Sequence, residues 1–308
     1  MHDVAGDMDR IVATLNAAQV GACTSVDALA LRSVSALLRA HEWTICASIR
    51  QKELIAAGPW PSPALGLAVD VGTTKLAAYL LDLATGATLA ARGAMNPQIQ
   101  FGEDVISRLS HALTRDQGAG ELSRCVVQGI NALTEELTTE AGKDPNDILE
   151  VVIAGNTAMH HLLLGLPVGP LSRAPYVPAL SDAVDVKARE LGLLSAPGAY
   201  AHFLPNVAGF VGGDHVAMLT ATGIEQDSAP VLAIDIGTNT EVCLASHGTL
   251  TCVACASGPA FEGGHIRDGM RAAPGAIEHV SVTAGEVRLL TRSEVAATHA
   301  TADAEARA

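Results

Sequence analysis

The sequence predicts an α/β protein that contains two similar domains. The segment Leu67–Thr74 recurs as Leu232–Asn239, with five of the eight positions identical and two more exchanged between Val and Ile. Each copy is an apolar strand that ends in Asp, followed by a Gly turn and a second apolar strand. Solenoid repeats are about 20–50 residues long. A repeat at this much wider spacing therefore indicates two domains of one kind.

The first copy predicts an antiparallel meander followed by helices and a further strand. Leu122, Val126, Ile130, Leu133 and Leu137 recur at three- and four-residue steps, which is typical of an amphipathic helix. In chain order, the pattern predicts strands over 65–71, 75–83 and 87–92, helices over 103–114 and 120–141, a strand over 149–154 and a helix to about residue 164. Three antiparallel strands, helices and another strand are the order of a ribonuclease-H-like domain with a mixed sheet.

The rest of the chain is interpreted from the same patterns. The second copy predicts a meander with strands over 231–236, 240–245 and 250–256, preceded by a helix that begins at Gly212-Gly213-Asp214. Before the first copy, the sequence predicts a helix over 28–40, a strand over 44–50 and a linker marked by prolines at positions 59, 61 and 63. The Ala-rich tail after about Thr291 is expected to be frayed or loosely helical.

Composition and charge restrict the function. The chain has 308 residues, 49% of them hydrophobic, and 19 Lys and Arg against 33 Asp and Glu, for a net charge of -14. Long-range attraction to nucleic acid or to an anionic membrane surface is therefore not expected. The N-terminus has no targeting pattern, and no run of about 18 apolar residues predicts a membrane span. The six cysteines do not form a disulfide framework, so a cytoplasmic protein is expected.

The two Gly turns are the candidate binding elements. Glycine permits positive φ and a close approach of the backbone to a ligand, and successive N–H groups in such a turn form an anion-binding concavity. A single turn of this kind is typical of an ordinary hairpin, but two copies in matching strands favour a pair that clamps one nucleotide. The candidate phosphate-binding residues are Gly72, Thr73, Thr74 and Lys75 in the first copy and Gly237, Thr238 and Asn239 in the second. Lys75 can equally be an ordinary strand residue.

Carboxylates near these turns are the candidate metal ligands and catalytic groups. Asp70 and Asp235 each end a strand, where a carboxylate can hold hydrated Mg²⁺. Asp214 follows Gly212 and Gly213 at a predicted helix N-terminus. It is either a helix cap or a metal or water contact near a γ-phosphate. Glu262, next to Gly263, is either a ribose or metal contact or a solvated acid.

Two further patterns, a cysteine pair and a histidine pair, are interpreted as structural. Cys252 and Cys255 form a C-x-x-C, but residues three apart on a strand point to opposite faces, so we expect two small core residues and not a redox pair. His160 and His161 are adjacent on a helix and do not share a face. We expect one in the core and one at its boundary. His215 and His265 lie beside Gly-rich turns and are better ligand candidates than His160 and His161.

The paired turns resemble the first and second phosphate motifs of the actin, Hsp70 and sugar-kinase (ASKHA) ATPase superfamily. The chain is most similar to one branch of it, the reductive activators of corrinoid-dependent proteins. The segments that carry this resemblance are 70–75, 96–98, 102–108, 155–161, 212–215, 258–263 and 269–278. The resemblance covers about residues 60–280.

The resemblance implies ATP and Mg²⁺ as cofactors and a corrinoid protein or corrinoid-dependent methyltransferase as partner. Such proteins couple ATP hydrolysis to electron transfer that returns Co(II) to the Co(I) state needed for methyl transfer. The resemblance also implies three regions. They are a linker or remnant of a middle domain over 1–63, a first ASKHA-type domain over 64–205 and a truncated second one over 206–308. The sequence leaves open whether the protein forms a homodimer.

The sequence departs from the family in three respects. The C-x₄-C-x₂-C spacing of a plant-type iron–sulfur domain does not occur, so no such cluster is expected in this chain. The chain ends before the adenosine motif, and Thr240 stands where the family usually has Gly. Two other functions therefore remain open, a sugar-kinase-type phosphotransferase and a non-catalytic nucleotide-binding fragment.

Overall fold

The computed structural model describes residues 4–18, 23–258, 266–267, 269–270, 275–283 and 286–291. The chain divides into two compact units, Met1–Gly223 and Ile224–Ala308, called unit 1 and unit 2 below. The sequence places the start of the second domain at residue 206, whereas the division by contacts falls after Gly223. The assignment of residues 206–223 to one domain or the other remains a prediction.

Unit 1 contains the α-helices and most of the strands of the described residues. Its helices are α1 (Asp7–Ala17), α2 (Ala28–Ala40), α3 (Val105–Thr114), α4 (Gly118–Ala141), α5 (Thr157–Leu164), α6 (Ala188–Leu191) and α7 (Gly213–Thr222). Its strands are β1 (Ser25–Val26), β2 (Ile45–Arg50), β3 (Glu53–Pro59), β4 (Leu65–Val71), β5 (Lys75–Asp82), β6 (Thr88–Met95), β7 (Ile148–Gly155), β8 (Val184–Lys187) and β9 (Tyr200–Phe203).

The main sheet of unit 1 has the strand order β6-β5-β4-β7-β9-β8. Strands β4, β5 and β6 are an antiparallel meander, and β7 then pairs in parallel with β4 and with β9. This mixed order confirms the ribonuclease-H-like prediction for the first copy. Strands β8 and β9 were not predicted, because four-residue strands are too short to show a clear periodicity.

The core of unit 1 lies between this sheet and its helices. The predicted apolar face of α4 is buried, and α4 packs against β5 and β6. Helix α3 begins at Val105 and not at residue 103, because the Asp104 side chain caps it by accepting a hydrogen bond from Ser107 N at 2.8 Å. Its buried residues are Val105, Leu109 and one cation, Arg108.

The region before the meander is a folded part of unit 1 and not only a linker. Strands β1, β3 and β2 form a small sheet, with β3 in the centre. The prolines made this segment look like a linker, but Pro59 ends β3 opposite Ile45, where its missing N–H is tolerated. Arg50 ties this sheet to the main one through Glu150 at 2.7 Å and Asp185 at 2.8 Å.

Unit 2 repeats the meander. Its strands are β10 (Val231–Ile236), β11 (Asn239–Ser246), β12 (Thr249–Ala256), β13 (Ile277–Thr283) and β14 (Glu286–Thr291). Strands β10, β11 and β12 are antiparallel, as predicted, and β13 pairs with β14 in a hairpin that was not predicted. The expected frayed tail lies outside the described residues. No described helix is long and apolar enough to cross a membrane.

Candidate functional site

The first Gly turn joins β4 to β5, and it requires glycine because there is no space for a side chain at position 72. A Cβ on Gly72 would lie 2.7 Å from the Lys75 carbonyl oxygen, closer than real Cβ contacts allow. Gly72 and Gly237 are not among the described glycines with positive φ. The expectation that these glycines supply positive φ is therefore wrong. The required property is the missing side chain, which lets the turn fold tightly on itself.

The carbonyl groups of this turn are hydrogen-bonded to the interior of unit 1. Asn96 donates from Nδ2 to Gly72 O at 2.8 Å and from its backbone N to Thr74 O at 2.9 Å. Arg108 donates from Nη2 to Thr73 O at 2.5 Å. A trans peptide points its C=O and N–H in opposite directions. The N–H groups of Thr73 and Thr74 therefore point away from Asn96 Nδ2 and Arg108.

Arg108 is a buried cation directly behind the turn. Its side chain is fully buried, and it donates to Gly102 O at 2.9 Å and to Gln98 Oε1 at 3.2 Å as well as to the turn. Burial lowers the pKa of Arg108 to about 10, so the guanidinium stays charged at neutral pH. Among the described residues, no carboxylate lies within salt-bridge distance of it. The charge is held by neutral acceptors.

The sequence analysis assigned no function to Arg108, although its position in the α3 pattern indicates that it is buried. It lies one residue before Leu109 and three after Val105, on the apolar side of the α3 pattern. Arginine on the buried side of a helix is rare without a partner. Asn96 and Gln98 are likewise polar and fully buried. Buried polar side chains in one short stretch indicate a bracing network, which only the contacts could identify.

Two helix starts lie beside the first turn. Asn156 caps α5 by accepting from Met159 N at 3.0 Å, and it donates from Nδ2 to Thr73 Oγ1 at 2.9 Å. A Cβ on Gly212, the residue before α7, would lie 2.5 Å from Asn156 Cα, so only glycine fits there. Helix starts attract anions. The structure therefore brings the predicted Thr73, Gly212 and Gly213 together within unit 1, and it adds Asn156.

The predicted charged residues of unit 1 occupy different positions. Asp70 is the next-to-last residue of β4, is exposed, and pairs in register with Ala77 and Ala154. Lys75 begins β5 and lies on the same face of the sheet as Ala77 and Asp70, because alternate residues share a face. Asp214 is not the cap of α7, which is Gly212. It lies in the first turn and accepts a hydrogen bond from His215 N at 2.8 Å.

The second Gly turn joins β10 to β11 in unit 2. Thr238 O accepts hydrogen bonds from Ser257 N at 3.2 Å and Gly258 N at 2.9 Å. A Cβ on Gly237 would lie 3.1 Å from Asn239 O. This turn is thus supported by the backbone that follows β12.

Asp235 has a second carboxylate next to it. Asp235 on β10 lies directly opposite Glu241 on β11, and Glu241 is buried. Like charges that face each other across a strand pair destabilise it, and a cation between them would relieve the repulsion. Glu241 was not predicted as part of the site. Glu241 can be identified only from the strand register, which places it on the same face of the sheet as Asp235.

Thr240 is accommodated without opening the second turn. Its hydroxyl oxygen lies 2.6 Å from Ser257 Oγ, which donates to it, and its side chain is buried. The residue that departs from the family's usual Gly therefore packs against β12 beside the hydrogen-bonded Thr238. The remaining predicted contacts, Glu262 and Gly263 together with His265, lie outside the described residues.

The histidine expectation is wrong, and the cysteine expectation holds in part. His160 and His161 are both buried, because α5 is covered on all sides. Burial lowers the pKa of both, that of His160 to about 4, and His215 is also buried. Cys252 and Cys255 do not meet. Cys255 is exposed rather than in the core, and the sulfur of Cys252 contacts Cys243.

Comparisons with known proteins agree with this fold. The family model described as the RACo middle region matches residues 65–227, and the C-terminal ASKHA domain of RACo matches residues 229–300. The corrinoid activation enzyme RamQ of Eubacterium limosum is 33% identical over 235 residues, which are 76% of this chain and 39% of that protein.

Two further relatives point the same way. The Co(II) methylated amine-specific corrinoid protein reductase of Methanosarcina barkeri is 25% identical over 221 residues, 69% of this chain and 40% of that protein. A solved structure described as a reductive activator for corrinoid, iron-sulfur protein is 34% identical, with a TM-score of 0.82 over 95% of this chain and 48% of that one. The chain spans less than half the length of each relative. It belongs to the RACo family of reductive activators of corrinoid proteins.

Proposed function

We propose that this chain is the ATP-binding module of a reductive activator that returns a corrinoid protein from Co(II) to Co(I) for methyl transfer. The observation that carries the proposal is the first Gly turn, whose three carbonyl groups are hydrogen-bonded inward. On the other side of these peptides, the N–H groups would bind phosphate oxygens. ATP hydrolysis would be coupled to electron transfer, and the corrinoid is the partner's group and not a cofactor of this chain.

The residues of the first turn fit a polyphosphate. Helix starts at Asn156 and Gly212 lie beside the turn, and the Arg108 charge lies one peptide behind it. At an effective dielectric constant of about 20, a unit charge about 8 Å from an anion stabilises it by roughly 2 kcal/mol. An acidic protein can therefore bind an anion through local groups, despite its net charge of -14.

Asp70 and Asp235 are the proposed Mg²⁺ contacts, with Glu241 as an addition next to Asp235. The exposure of Asp70 suits a metal that keeps several of its waters. When bound, Mg²⁺ would neutralise phosphate charge. Lys75, Gly237, Thr238 and Asn239 are the remaining proposed nucleotide contacts among the described residues. The proposed catalytic groups are Asp70, Asp214 and Asp235.

The proposal includes a cytoplasmic setting, a corrinoid protein or methyltransferase as partner, and an electron supply outside this chain. Purified protein is accordingly expected to lack iron–sulfur absorbance, and a reproducible visible band from a bound cluster would contradict this. A homodimer remains to be tested by light scattering.

Calorimetry with Mg·ATP, and with Mg·ADP alongside, tests the proposal. Asp70→Asn and Asp235→Asn should each weaken Mg·ATP binding about tenfold, because each removes a charge that contacts the metal. Asp116→Asn and Asp227→Asn are matched controls on exposed residues of the two units and should bind as wild type. Unchanged affinity in both site variants would refute the proposed roles of Asp70 and Asp235.

A second experiment separates the proposed activity from the alternatives. Binding should be followed by ATP-dependent reduction of a Co(II) corrinoid protein in the presence of an electron donor, measured by cobalamin absorbance. Phosphorylation of a hydroxyl acceptor would instead support a kinase. Nucleotide binding without turnover in the presence of a corrinoid protein would support a non-catalytic module.

A further inference from the structure

The hairpin formed by β11 and β12 places two cysteines directly opposite each other. Its two-residue loop, His247-Gly248, has φ of 51° and 72°, the signs required by a type I′ turn. In such a hairpin the pair that flanks the loop is hydrogen-bonded, and the two kinds of pair alternate from there. Cys243 and Cys252 are opposite in the register, three pairs beyond the flanking pair. They therefore form a non-hydrogen-bonded pair.

This type of pair suits a disulfide. Directly opposite residues in non-hydrogen-bonded pairs have Cα atoms about 4.5 Å apart, which is within the range of about 4.4–6.8 Å spanned by disulfides. The two Sγ atoms already lie 2.8 Å apart. The strands can therefore accept the bond without a change of register.

The surroundings of the pair favour one route of reaction. Cys243 is fully buried, whereas Cys252 is half-buried and is the sulfur that a reagent can reach. Burial and the contact with Cys243 raise the pKa of Cys252 to about 12. The thiolate is the reactive form, so oxidation at neutral pH should be slow. Cys255, three residues further on β12, is exposed but contacts the Thr240 carbonyl oxygen and not a second thiol.

We propose that Cys243 and Cys252 are a modification site. A low-molecular-weight disulfide, such as oxidised glutathione, oxidises the two thiols to an intramolecular disulfide. The Cys252 thiolate attacks the small disulfide and releases one thiol. The Cys243 sulfur then attacks the mixed disulfide at Cys252 and releases the second thiol. Two electrons and two protons pass from the cysteine pair to the oxidant, which leaves as two thiols.

The test uses the full chain, equilibrated with a chelator and a series of glutathione mixtures from fully reduced to fully oxidised. Samples are quenched in acid, unfolded, alkylated and analysed by peptide mass spectrometry. We expect a linked peptide pair that has lost two hydrogens, with Cys243 and Cys252 protected from alkylation. Cys255 should be alkylated or carry a single glutathione.

Two variants and one stronger oxidant make the result decisive. Cys255→Ser should still form the linked pair, and Cys252→Ser should not. Alkylation of both Cys243 and Cys252 after incubation with oxidised glutathione and then diamide would overturn the proposal. A linkage that uses other cysteines would overturn it as well. Because the peptides are read directly from the wild-type chain, the test does not depend on the folding of a variant.

Discussion

Two copies of nearly the same strand have opposite surroundings in this molecule. Leu67, Val69 and Val71 of β4 are at most 2% exposed, whereas their counterparts in β10, Leu232, Ile234 and Ile236, are 56%, 51% and 61% exposed. In unit 1 the helices α3, α4 and α5 cover the apolar side of the sheet. The described residues of unit 2 form no α-helix. An apolar strand stabilises its domain only where something packs on it.

The two Gly turns also differ in the groups that support them. The turn after β4 is braced by the side chains of Asn96, Arg108 and Asn156, which come from three separate elements. The turn after β10 is braced by the backbone of Ser257 and Gly258 in its own meander. The same motif can thus be supported from a distance or locally, and the distant support adds a buried positive charge.

The largest expected effect comes from one substitution made in each copy. Leu67→Ala should lower the free energy of unfolding of unit 1 by about 3 kcal/mol, because it leaves a cavity in a packed core. Leu232→Ala should change the stability of unit 2 by less than about 0.5 kcal/mol, because that side chain is exposed. Both tryptophans, Trp43 and Trp60, lie in unit 1. Their fluorescence in urea therefore reports on unit 1, and hydrogen exchange reports on unit 2.

Equal losses in the two units would break this comparison. They would mean that the β10 face is covered in solution. Tyr79→Ala, on the exposed side of β5, is a control within unit 1 and should cost much less than Leu67→Ala.

The second expected effect concerns the braces of the two turns. Arg108→Met should cost about 2 kcal/mol of unit 1 stability, because Thr73 O and Gly102 O lose the hydrogen bonds that Arg108 donates. It should also weaken nucleotide binding about tenfold, because a buried charge is removed. Arg124→Met removes the same charge from an exposed position and should leave both quantities unchanged. Calorimetry and urea unfolding give the two readings.

The corresponding change in unit 2 should be milder. Ser257→Ala keeps the backbone N–H that binds Thr238 O and should lower nucleotide affinity less than twofold. An effect as large as that of Arg108→Met would contradict the local support inferred for the second turn.

Acid should destabilise unit 1 through His160. Its pKa is lowered to about 4 in the folded protein by burial and then by the neighbouring His161, against 6.5 for an ordinary histidine. Between these values the unfolded chain binds more protons than the folded one, so stability falls as the pH drops from 6.5 towards 4. The loss at pH 5 should be on the order of 1–2 kcal/mol.

Urea unfolding at several pH values, followed by tryptophan fluorescence, measures this dependence. His160→Gln should flatten it, whereas His41→Gln, an exposed histidine of the same unit, should leave it unchanged. A wild-type stability that is constant from pH 7 to pH 5 would refute the buried neutral state of His160.

The smallest expected effect is at Thr240. Thr240→Gly removes the hydroxyl that accepts from Ser257 and adds strand flexibility, and it should cost about 1 kcal/mol in unit 2. Thr251→Gly, at an exposed position of β12, has the same flexibility cost without a hydrogen bond to lose and should cost less. Hydrogen exchange of β11 compares them. A gain in protection for Thr240→Gly would show that Thr240 strains the turn.

Much of unit 1 follows from local patterns. The β4–β6 meander, α4, β7 and α5 were predicted because long apolar repeats specify a strand or helix wherever they occur. The strands β8 and β9 were missed because four residues show little periodicity, and β3 was missed because its segment ends in proline. The hairpin β13–β14 was also missed, whereas β2 was predicted.

The candidate site divides in the same manner. Gly72, Thr73 and Gly212 were predicted as binding residues from the repeat and the glycine pairs. Asn156, Arg108 and Glu241 were not, because each contributes through a neighbour that is distant in sequence or across a strand pair.

By itself, the sequence determined that two meanders with a Gly turn exist, because turn residues and alternation act over a few positions. Only the tertiary structure decided which apolar strand is buried, which polar side chains brace the first turn, and which cysteine lies opposite Cys252. Burial and hydrogen bonding depend on the residues that pack there, and those come from other parts of the chain.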